Sequence, residues 1–109
     1  MAKRINLSPN HLSHIASSIV DAVPAEAIYV FGSYARGEET DASDLDLYVV
    51  VRDGSGDRFQ LAGQVGRALL WMGMPKDIIV GSSARFEERK SDLGSIEYVV
   101  AHEGVKIYG

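Results

Sequence analysis

Two aspartates, Asp44 and Asp46, are the residues of this sequence whose type and spacing most clearly suggest chemistry. They begin an apolar run, Leu45 to Val51, that reads as a β-strand. Alternate residues of a strand point to one face, so both carboxylates face the same way, with Cα atoms ~6–7 Å apart. Carboxylates at that separation can share metal ions about 3.5–4 Å apart. Because an apolar strand has no structural use for two unpaired anions, the pattern predicts a cation there.

A glycine turn upstream of the aspartates predicts a corner that binds phosphate. Gly32 follows the apolar run 28–31 and permits a turn that a side chain would block. Ser33 adds a hydroxyl and a backbone N–H, as suits a phosphate at a helix N-terminus. Arg36 and Gly37 follow one turn later. An anion-binding corner beside a cation-binding carboxylate pair is what a magnesium-bound polyphosphate needs.

The sequence resembles the DNA polymerase β-like nucleotidyltransferase superfamily, and within it the small stand-alone minimal nucleotidyltransferases. The resemblance rests on three segments, Gly32-Ser33, Ala35-Arg36-Gly37 and Ser43-Asp44-Leu45-Asp46-Leu47. It implies a nucleotidyltransferase-like fold and transfer of a nucleoside monophosphate from an NTP to an acceptor hydroxyl, with two Mg²⁺ ions. ATP is the expected NTP and AMP the expected group. By this resemblance the nucleotide-binding residues are Gly32, Ser33, Arg36 and Ser43.

The resemblance also calls for a third carboxylate on a strand beside the first two. Asp77 opens the run 76–81, which reads as a third strand, and it is the only acidic residue in that run. We therefore interpret Asp44, Asp46 and Asp77 as the catalytic and metal-binding residues, with Asp77 helping to deprotonate the acceptor hydroxyl. The alternative interpretation of Asp77 is a charged residue at a strand end with no special role.

The order of elements predicts an α/β (α+β) fold, a small mixed sheet with helices mainly on one face and the aspartates on the open face. Predicted strands are 27–31, 45–51, 76–81 and a short terminal strand or tail at 105–108. Predicted helices are one capped by Ser8 and stopped by Pro24, one over 58–72, a charged one after Ser82-Ser83, and one over 92–102 followed by Gly104. The charges of the third helix read as a solvated face.

Composition limits the classes of protein to which the chain can belong. Its 109 residues contain no linker-like stretch, which predicts a single domain over 1–109. The net charge of −4 gives no case for nucleic-acid binding over the whole surface, although a local basic patch stays open. Without cysteines there are no disulfides or thiolate metal sites. No apolar segment approaches ~20 residues, and the N-terminal segment 1–6 is too polar for a signal peptide, so we expect a cytoplasmic protein without membrane contact.

Other features have a plain structural interpretation beside a functional one. His11 and His14 are spaced for metal binding on the first helix, but exposed polar positions are favoured. Trp71 is interpreted as a core or interface residue rather than a platform for a base. The loop 52–57 lacks the full ligand pattern of a calcium loop.

The acceptor is not readable from the sequence. Only 32 residues (109 minus 77) follow Asp77, so we expect the acceptor site to come from a partner, a second copy of the chain, or the acceptor itself. Minimal nucleotidyltransferases are often paired with a small all-helical, HEPN-like protein in bacterial toxin–antitoxin modules, and some are similar to enzymes that attach AMP to a tyrosine of that partner. The alternative is a non-catalytic antitoxin that acts by contact, and a third possibility is a small α/β domain with an accidental motif. The three aspartates favour catalysis.

Overall fold

The computed structural model describes residues 5–109, which form a four-stranded sheet with helices on both faces. The strands are β1 (Ala25–Phe31), β2 (Leu45–Val51), β3 (Lys76–Ser82) and β4 (Val105–Tyr108). The helices are α1 (Pro9–Ala22), α2 (Ser33–Arg36), α3 (Arg58–Ala68), α4 (Ser83–Arg89) and α5 (Ile96–Glu103), and a short 3₁₀ helix spans Leu70–Met72. Residues 1–4, which belong to the segment predicted not to be a signal peptide, lie outside the described residues. No helix in the described part is both long and apolar enough to span a membrane.

The strands are arranged in the order β3-β2-β1-β4, which confirms the predicted mixed sheet. β1 pairs antiparallel with both β2 and β4, whereas β2 and β3 are parallel. Parallel strands need a crossover connection, and α3 provides it between β2 and β3. Consequently β2 and β3 both start at the same end of the sheet.

The two longest helices, α1 and α3, pack on one face of the sheet. Their apolar side chains meet those of β1 and β2 in the larger core; the fully buried members include Ile15, Ile19, Ile28, Leu47 and Val65. On the opposite face, α4 and α5 contribute to a second, smaller cluster that contains Tyr48, Val50, Phe86 and Val100. The face predicted to be open is therefore open only at one end, the end where Asp46 and Asp77 lie.

The start of α1 confirms the predicted capping. Ser8 Oγ accepts a hydrogen bond of 3.1 Å from the backbone N–H of His11, and Pro9 occupies the first turn, where its missing N–H costs nothing. Val23, in extended conformation, terminates the helix just before Pro24. β1 starts two residues earlier than predicted and β3 ends one residue later, which is within the usual uncertainty of element ends.

The predicted helices over 58–72 and 92–102 are too long. The first ends at Ala68, because the N–H of Leu69 is shared between the carbonyls of Val65 and Gly66 and the chain tightens into the 3₁₀ helix. The second begins only at Ile96. The Asp92 carboxylate accepts from the Gly94 N–H, and Ser95 Oγ accepts from the Tyr98 N–H. These local bonds favour a turn and an N-cap over a continued helix.

Gly104 ends α5, as predicted, but not by the left-handed conformation common at that position. Its φ of −70° and ψ of 156° are open to any residue. A Cβ at Gly104 would lie 2.4 Å from the carbonyl oxygen of Val100, so glycine is needed there for the close approach of the chain.

Candidate active site

The pairing of β2 with β3 places Asp46 directly opposite Asp77. Adjacent strands lie ~4.8 Å apart, so two carboxylates in register on the same face are close neighbours. The register begins at the strand starts, where the Leu45 N–H donates a 3.0 Å hydrogen bond to the carbonyl of Pro75. Asp44 is the residue before β2. Its side chain and that of Asp77 are exposed, whereas Asp46 is half-buried. The fold thus brings all three predicted carboxylates to one end of the sheet.

The electrostatics of Asp46 reflect this convergence. Burial raises the pKa of Asp46, and the charges of Asp77 and then Asp44 raise it further. Arg36 acts in the opposite direction and lowers the same pKa. Asp77, Asp44 and Arg36 therefore all lie close enough to interact electrostatically with the Asp46 carboxylate. The two carboxylates raise its pKa by more than Arg36 lowers it.

Gly32 is in contact with the catalytic candidate Asp46. It follows Phe31, the residue that pairs with Asp46 across β1 and β2. A Cβ added at Gly32 would lie 2.0 Å from Asp46 Oδ2, and the φ of +72° with ψ of −150° belongs to a region that only glycine occupies readily. The predicted glycine turn is present. It has no room for a side chain at position 32, because the Asp46 carboxylate occupies that space.

Ser33 and Arg36 are the first and last residues of α2, a helix of four residues between Gly32 and Gly37. The Arg36 side chain is exposed and held by two carboxylates. Its Nε donates a 2.8 Å hydrogen bond to Glu38, and its Nη1 lies 3.7 Å from Glu103. Arg36 is positioned beside Asp46, as expected, but it would have to exchange these partners to contact a phosphate.

Ser43 closes the turn that leads into β2. Its Oγ accepts a 2.8 Å hydrogen bond from the Thr40 N–H. Ser43 also lines a groove of about 390 Å³, together with Asn6, Tyr34, Glu39, Thr40, Asp41, Met74 and Pro75. In that groove Glu39 Oε1 is buried and makes no hydrogen bond to any part of residues 5–109. Ser43 in this groove precedes Asp44 in the chain, but none of the three aspartates lines the groove.

The three aspartates fit a magnesium site by their donor chemistry, because Mg²⁺ prefers carboxylate oxygens. Gly32 leaves the space that Asp46 needs, and burial, followed by the charges of Asp77 and Asp44, raises the pKa of Asp46. Within residues 5–109, however, no three His, Cys, Asp or Glu side chains are gathered closely enough to hold one ion. Because like-charged carboxylates repel each other, an ion of opposite charge would have to draw Asp44 and Asp77 inward.

The sequence interpretation missed a buried carboxylate on α5. Glu97 is fully buried and accepts hydrogen bonds from Tyr48 (2.7 Å), Arg85 (3.3 Å) and Arg89 (3.2 Å). The prediction that the charges of α4 form only a solvated face is therefore wrong for its two arginines. A signal was present, since Glu97 precedes the core residue Val100 by three positions and the arginines are spaced four apart.

Burial and hydrogen bonding act against each other at Glu97. Burial alone would raise its pKa, but the hydrogen bonds from Tyr48, from the Glu97 backbone and from Arg89, with the charge of Arg85, lower it below its ordinary value. Burial and the same contact raise the pKa of the Tyr48 hydroxyl, so that Tyr48 stays a donor. The network ties α4 and α5 to the middle of β2.

The histidines of α1 lie against Trp71, which supports the structural interpretation of these residues. The His14 ring stacks on the Trp71 ring with centroids 3.9 Å apart, and the His11 centroid is 5.5 Å away. Trp71 Nε1 donates a 3.2 Å hydrogen bond to Ser18. Trp71 is 41% exposed, so it is part of the surface and not of the core.

The chain is similar to known nucleotidyltransferases in sequence and in fold. Residues 12–105 match the family model of the nucleotidyltransferase domain. A toxin–antitoxin crystal structure with AMP-PNP is 23% identical, with a TM-score of 0.61, over 94% of this chain and 74% of that chain. A Sulfolobus solfataricus protein described as a nucleotidyltransferase is 24% identical, with a TM-score of 0.59, over 87% and 75%. A mutant of the MntA–HpeT toxin–antitoxin is 21% identical, with a TM-score of 0.58, over 94% and 74%. No curated protein matches the chain.

Proposed function

The chain belongs to the nucleotidyltransferase domain family, and from that premise we propose that it transfers AMP from ATP to a hydroxyl of a partner protein, with Mg²⁺. The observation that carries the proposal is the placement of Asp46 opposite Asp77, with Asp44 beside them and the Gly32 turn in contact. One of the solved neighbours is a toxin–antitoxin with AMP-PNP, an ATP analogue, which supports ATP as the substrate.

The site's own residues divide the work of the reaction. Asp44 and Asp46 would hold a metal ion on the polyphosphate, and Asp77 would share a second ion with them. Such ions polarise the phosphoryl group and lower the pKa of an attacking hydroxyl. Asp77, exposed at the open end of the sheet, is placed to accept a proton from an acceptor that approaches from solvent.

The phosphate corner would hold the leaving pyrophosphate. Ser33 and the backbone N–H groups that follow Gly32 offer hydrogen-bond donors at the start of α2. Arg36 would release Glu38 and Glu103 and turn its planar guanidinium to the phosphate, which binds such a fork with two parallel hydrogen bonds. Ser43, in the groove beside Asp44, is proposed to contact the nucleoside.

A partner protein as acceptor is supported by the neighbours that are toxin–antitoxin structures. The partner we propose is a small all-helical, HEPN-like protein; a second copy of this chain is the other possible acceptor. We propose that the reaction takes place in the cytoplasm.

A second candidate function is a contact-only antitoxin that retains the fold without transfer. One observation favours it, namely that Arg36 is already engaged by Glu38 and Glu103. A protein that never binds a triphosphate would keep such ion pairs permanently.

The test of the proposal is label transfer from α-labelled ATP, GTP, CTP and UTP in a lysate of the source cells, with and without Mg²⁺. The negative control is the Asp44→Asn/Asp46→Asn protein. Asp21→Asn, which removes an exposed carboxylate of α1, is the matched control. A metal-dependent labelled protein band that the double variant lacks and Asp21→Asn retains is expected, strongest with ATP. No label above the double variant, with the partner present, would support the contact-only antitoxin.

A further inference from the structure

A cavity of about 200 Å³ lies at the opposite end of the sheet from the aspartates. It is bounded by the end of β2, the end of β3, the loop 52–57 and the start of α3. Three arginines line it, Arg52, Arg58 and Arg85, together with the serines Ser55 and Ser82. Arginines from three separate elements thus converge on one small space, in a chain whose net charge is −4.

Two of these arginines have unused hydrogen-bonding capacity. Among residues 5–109, Arg52 and Arg58 take part in none of the ion pairs. The Arg58 guanidinium lies 4.7 Å from the centre of the Phe59 ring, a contact that uses none of its N–H donors for a carboxylate. Arg85 is one-third exposed and shares its carboxylate partner, Glu97, with Arg89.

The acidic residues nearest in sequence are committed to backbone groups. Asp53 accepts a 2.9 Å hydrogen bond from the N–H of Ala84, and Asp57 caps α3 through the N–H groups of Phe59 and Gln60. These carboxylates fix the loop and the helix start, each through its Oδ1 atom. They moderate the positive charge of the cavity without satisfying the arginine donors.

The loop that forms the cavity rim is shaped by two glycines, Gly54 with φ of +79° and Gly56 with φ of +116°. Neither position has another group within 4 Å of where a Cβ would be, so the rim stays open to a ligand. Glycine-rich turns that carry no side chain allow a phosphate to approach the backbone closely.

We propose that this cavity binds a small phosphate anion, a pyrophosphate or the phosphate tail of a nucleotide, at a second site separate from the aspartates. Forked guanidinium donors match phosphoryl oxygens, and a space of this volume suits a compact anion rather than a long backbone. A nucleic acid would instead need a basic stripe along an open surface. Asp46 and Val51 are five residues apart on β2, about 17 Å, so a ligand bound here does not occupy the aspartate site.

The test is calorimetric titration of pyrophosphate, inorganic phosphate and ATP into the protein at low salt with EDTA. The Arg52→Gln/Arg58→Gln variant is expected to bind pyrophosphate at least about tenfold more weakly, because it loses charge-assisted hydrogen bonds to the anion. Arg67→Gln, an exposed arginine of α3 outside the cavity, is expected to bind as the native protein does. Among the described residues neither Arg52 nor Arg58 is in an ion pair, and a thermal melt verifies that the variant is folded.

The outcomes separate the second site from the aspartate site. Equal affinity of the native and Arg52→Gln/Arg58→Gln proteins, or no measurable heat in either, would overturn the proposal. Loss of pyrophosphate binding in Arg36→Gln, which alters the proposed phosphate corner, would assign the anion to the aspartate end instead. If ATP binds through the arginines and pyrophosphate does not, the site belongs to a nucleotide and not to the free anion. Binding of an oligonucleotide alone would reject a small-anion site in favour of nucleic acid.

Discussion

At the residue scale, Asp46 is the point on which the account depends. It is half-buried, it pairs in register with Asp77, and its carboxylate occupies the space that a side chain at position 32 would fill. The sequence was sufficient to predict the spacing of Asp44 and Asp46 and the glycine turn. It could not show that Gly32 and Asp46 touch, because that contact depends on the register between β1 and β2.

The contact between Gly32 and Asp46 can be tested with a matched glycine. We expect Gly32→Ala to lower the stability by about 1–3 kcal/mol through backbone strain and also to displace Asp46, so that transfer activity falls. Gly37 has a similar φ of +71° but nothing within 4 Å of its Cβ position. Gly37→Ala should therefore cost only about 1 kcal/mol and keep the activity. Denaturant unfolding and label transfer measure both, and equal activities of the two variants would contradict the contact's role.

The charge of Asp46 should destabilise the metal-free protein. Its pKa is raised above the ordinary 3.8, so the stabilisation from its protonated form is complete below that pH and is lost as the pH rises through the folded-state value. We expect Asp46→Asn to raise the melting temperature in EDTA at pH 7 by roughly 2–4 °C, a gain that disappears in acid. A variant less stable than the native protein at pH 7 would disprove the surplus of negative charge.

At the scale of elements, β2 joins the site to the second core cluster. Asp46 lies near its start, Tyr48 in its middle donates to Glu97 of α5, and its end borders the arginine cavity. Gly81 of β3 permits this arrangement, because a Cβ there would lie 2.1 Å from the Tyr48 hydroxyl oxygen. The strand and the two helices of this face are therefore joined by hydrogen bonds and by a shared apolar cluster.

Removal of the buried carboxylate should show how strongly α5 is held. Glu97→Gln keeps the shape and removes the charge, and we expect a loss of about 1–3 kcal/mol at pH 7 in urea unfolding, moderated by the partial exposure of both arginines. The pKa of Glu97 is lowered from 4.5, so its stabilisation is present above that pH and is lost as the pH falls through the folded-state value. The difference from the native protein should shrink in acid; a constant difference would contradict the role of the charge.

The sequence predicted whether a segment is a helix or a strand better than it predicted where that segment begins and ends. Apolar continuity identified β2 and β3, and Ser8 with Pro9 identified the start of α1. The start of α5 depends on hydrogen bonds of the Asp92 and Ser95 side chains, and the end of α3 depends on the 3₁₀ turn. Apolar periodicity encodes neither feature. Glu97 was missed because a charged residue in an apolar helix stripe is normally exposed.

At the scale of the whole molecule, the acidic site and the arginine cavity lie at opposite ends of the sheet. The carboxylates lie where β2 and β3 begin, and the arginine cavity lies where these strands end. This polarity follows from the parallel pairing of β2 with β3, which local sequence patterns do not specify. The resemblance implied that β3 lies beside β2, but neither the parallel direction of this pair nor the cavity was predicted. The mixed sheet, the family and the position of the three aspartates at one site were predicted from the sequence.

Metal binding should stabilise the folded protein as a whole. An ion held by Asp44, Asp46 and Asp77 stabilises by mass action, about 1.4 kcal/mol at ten times its Kd, which raises the melting temperature by roughly 5 °C. We expect this shift with Mg²⁺ in the native protein and no shift in Asp44→Asn/Asp46→Asn. The same rise in both proteins would place the ion elsewhere.

The central claim, that the facing pair Asp46 and Asp77 carries out nucleotidyl transfer, is tested most directly by the rate of AMP transfer from labelled ATP to the acceptor in Mg²⁺. Metal-assisted charge stabilisation contributes several kcal/mol, so Asp46→Asn and Asp77→Asn should each lower the rate by about 10³-fold, while Asp21→Asn leaves it unchanged. Transfer at the native rate in either Asp46→Asn or Asp77→Asn, with both variants folded, would contradict the account.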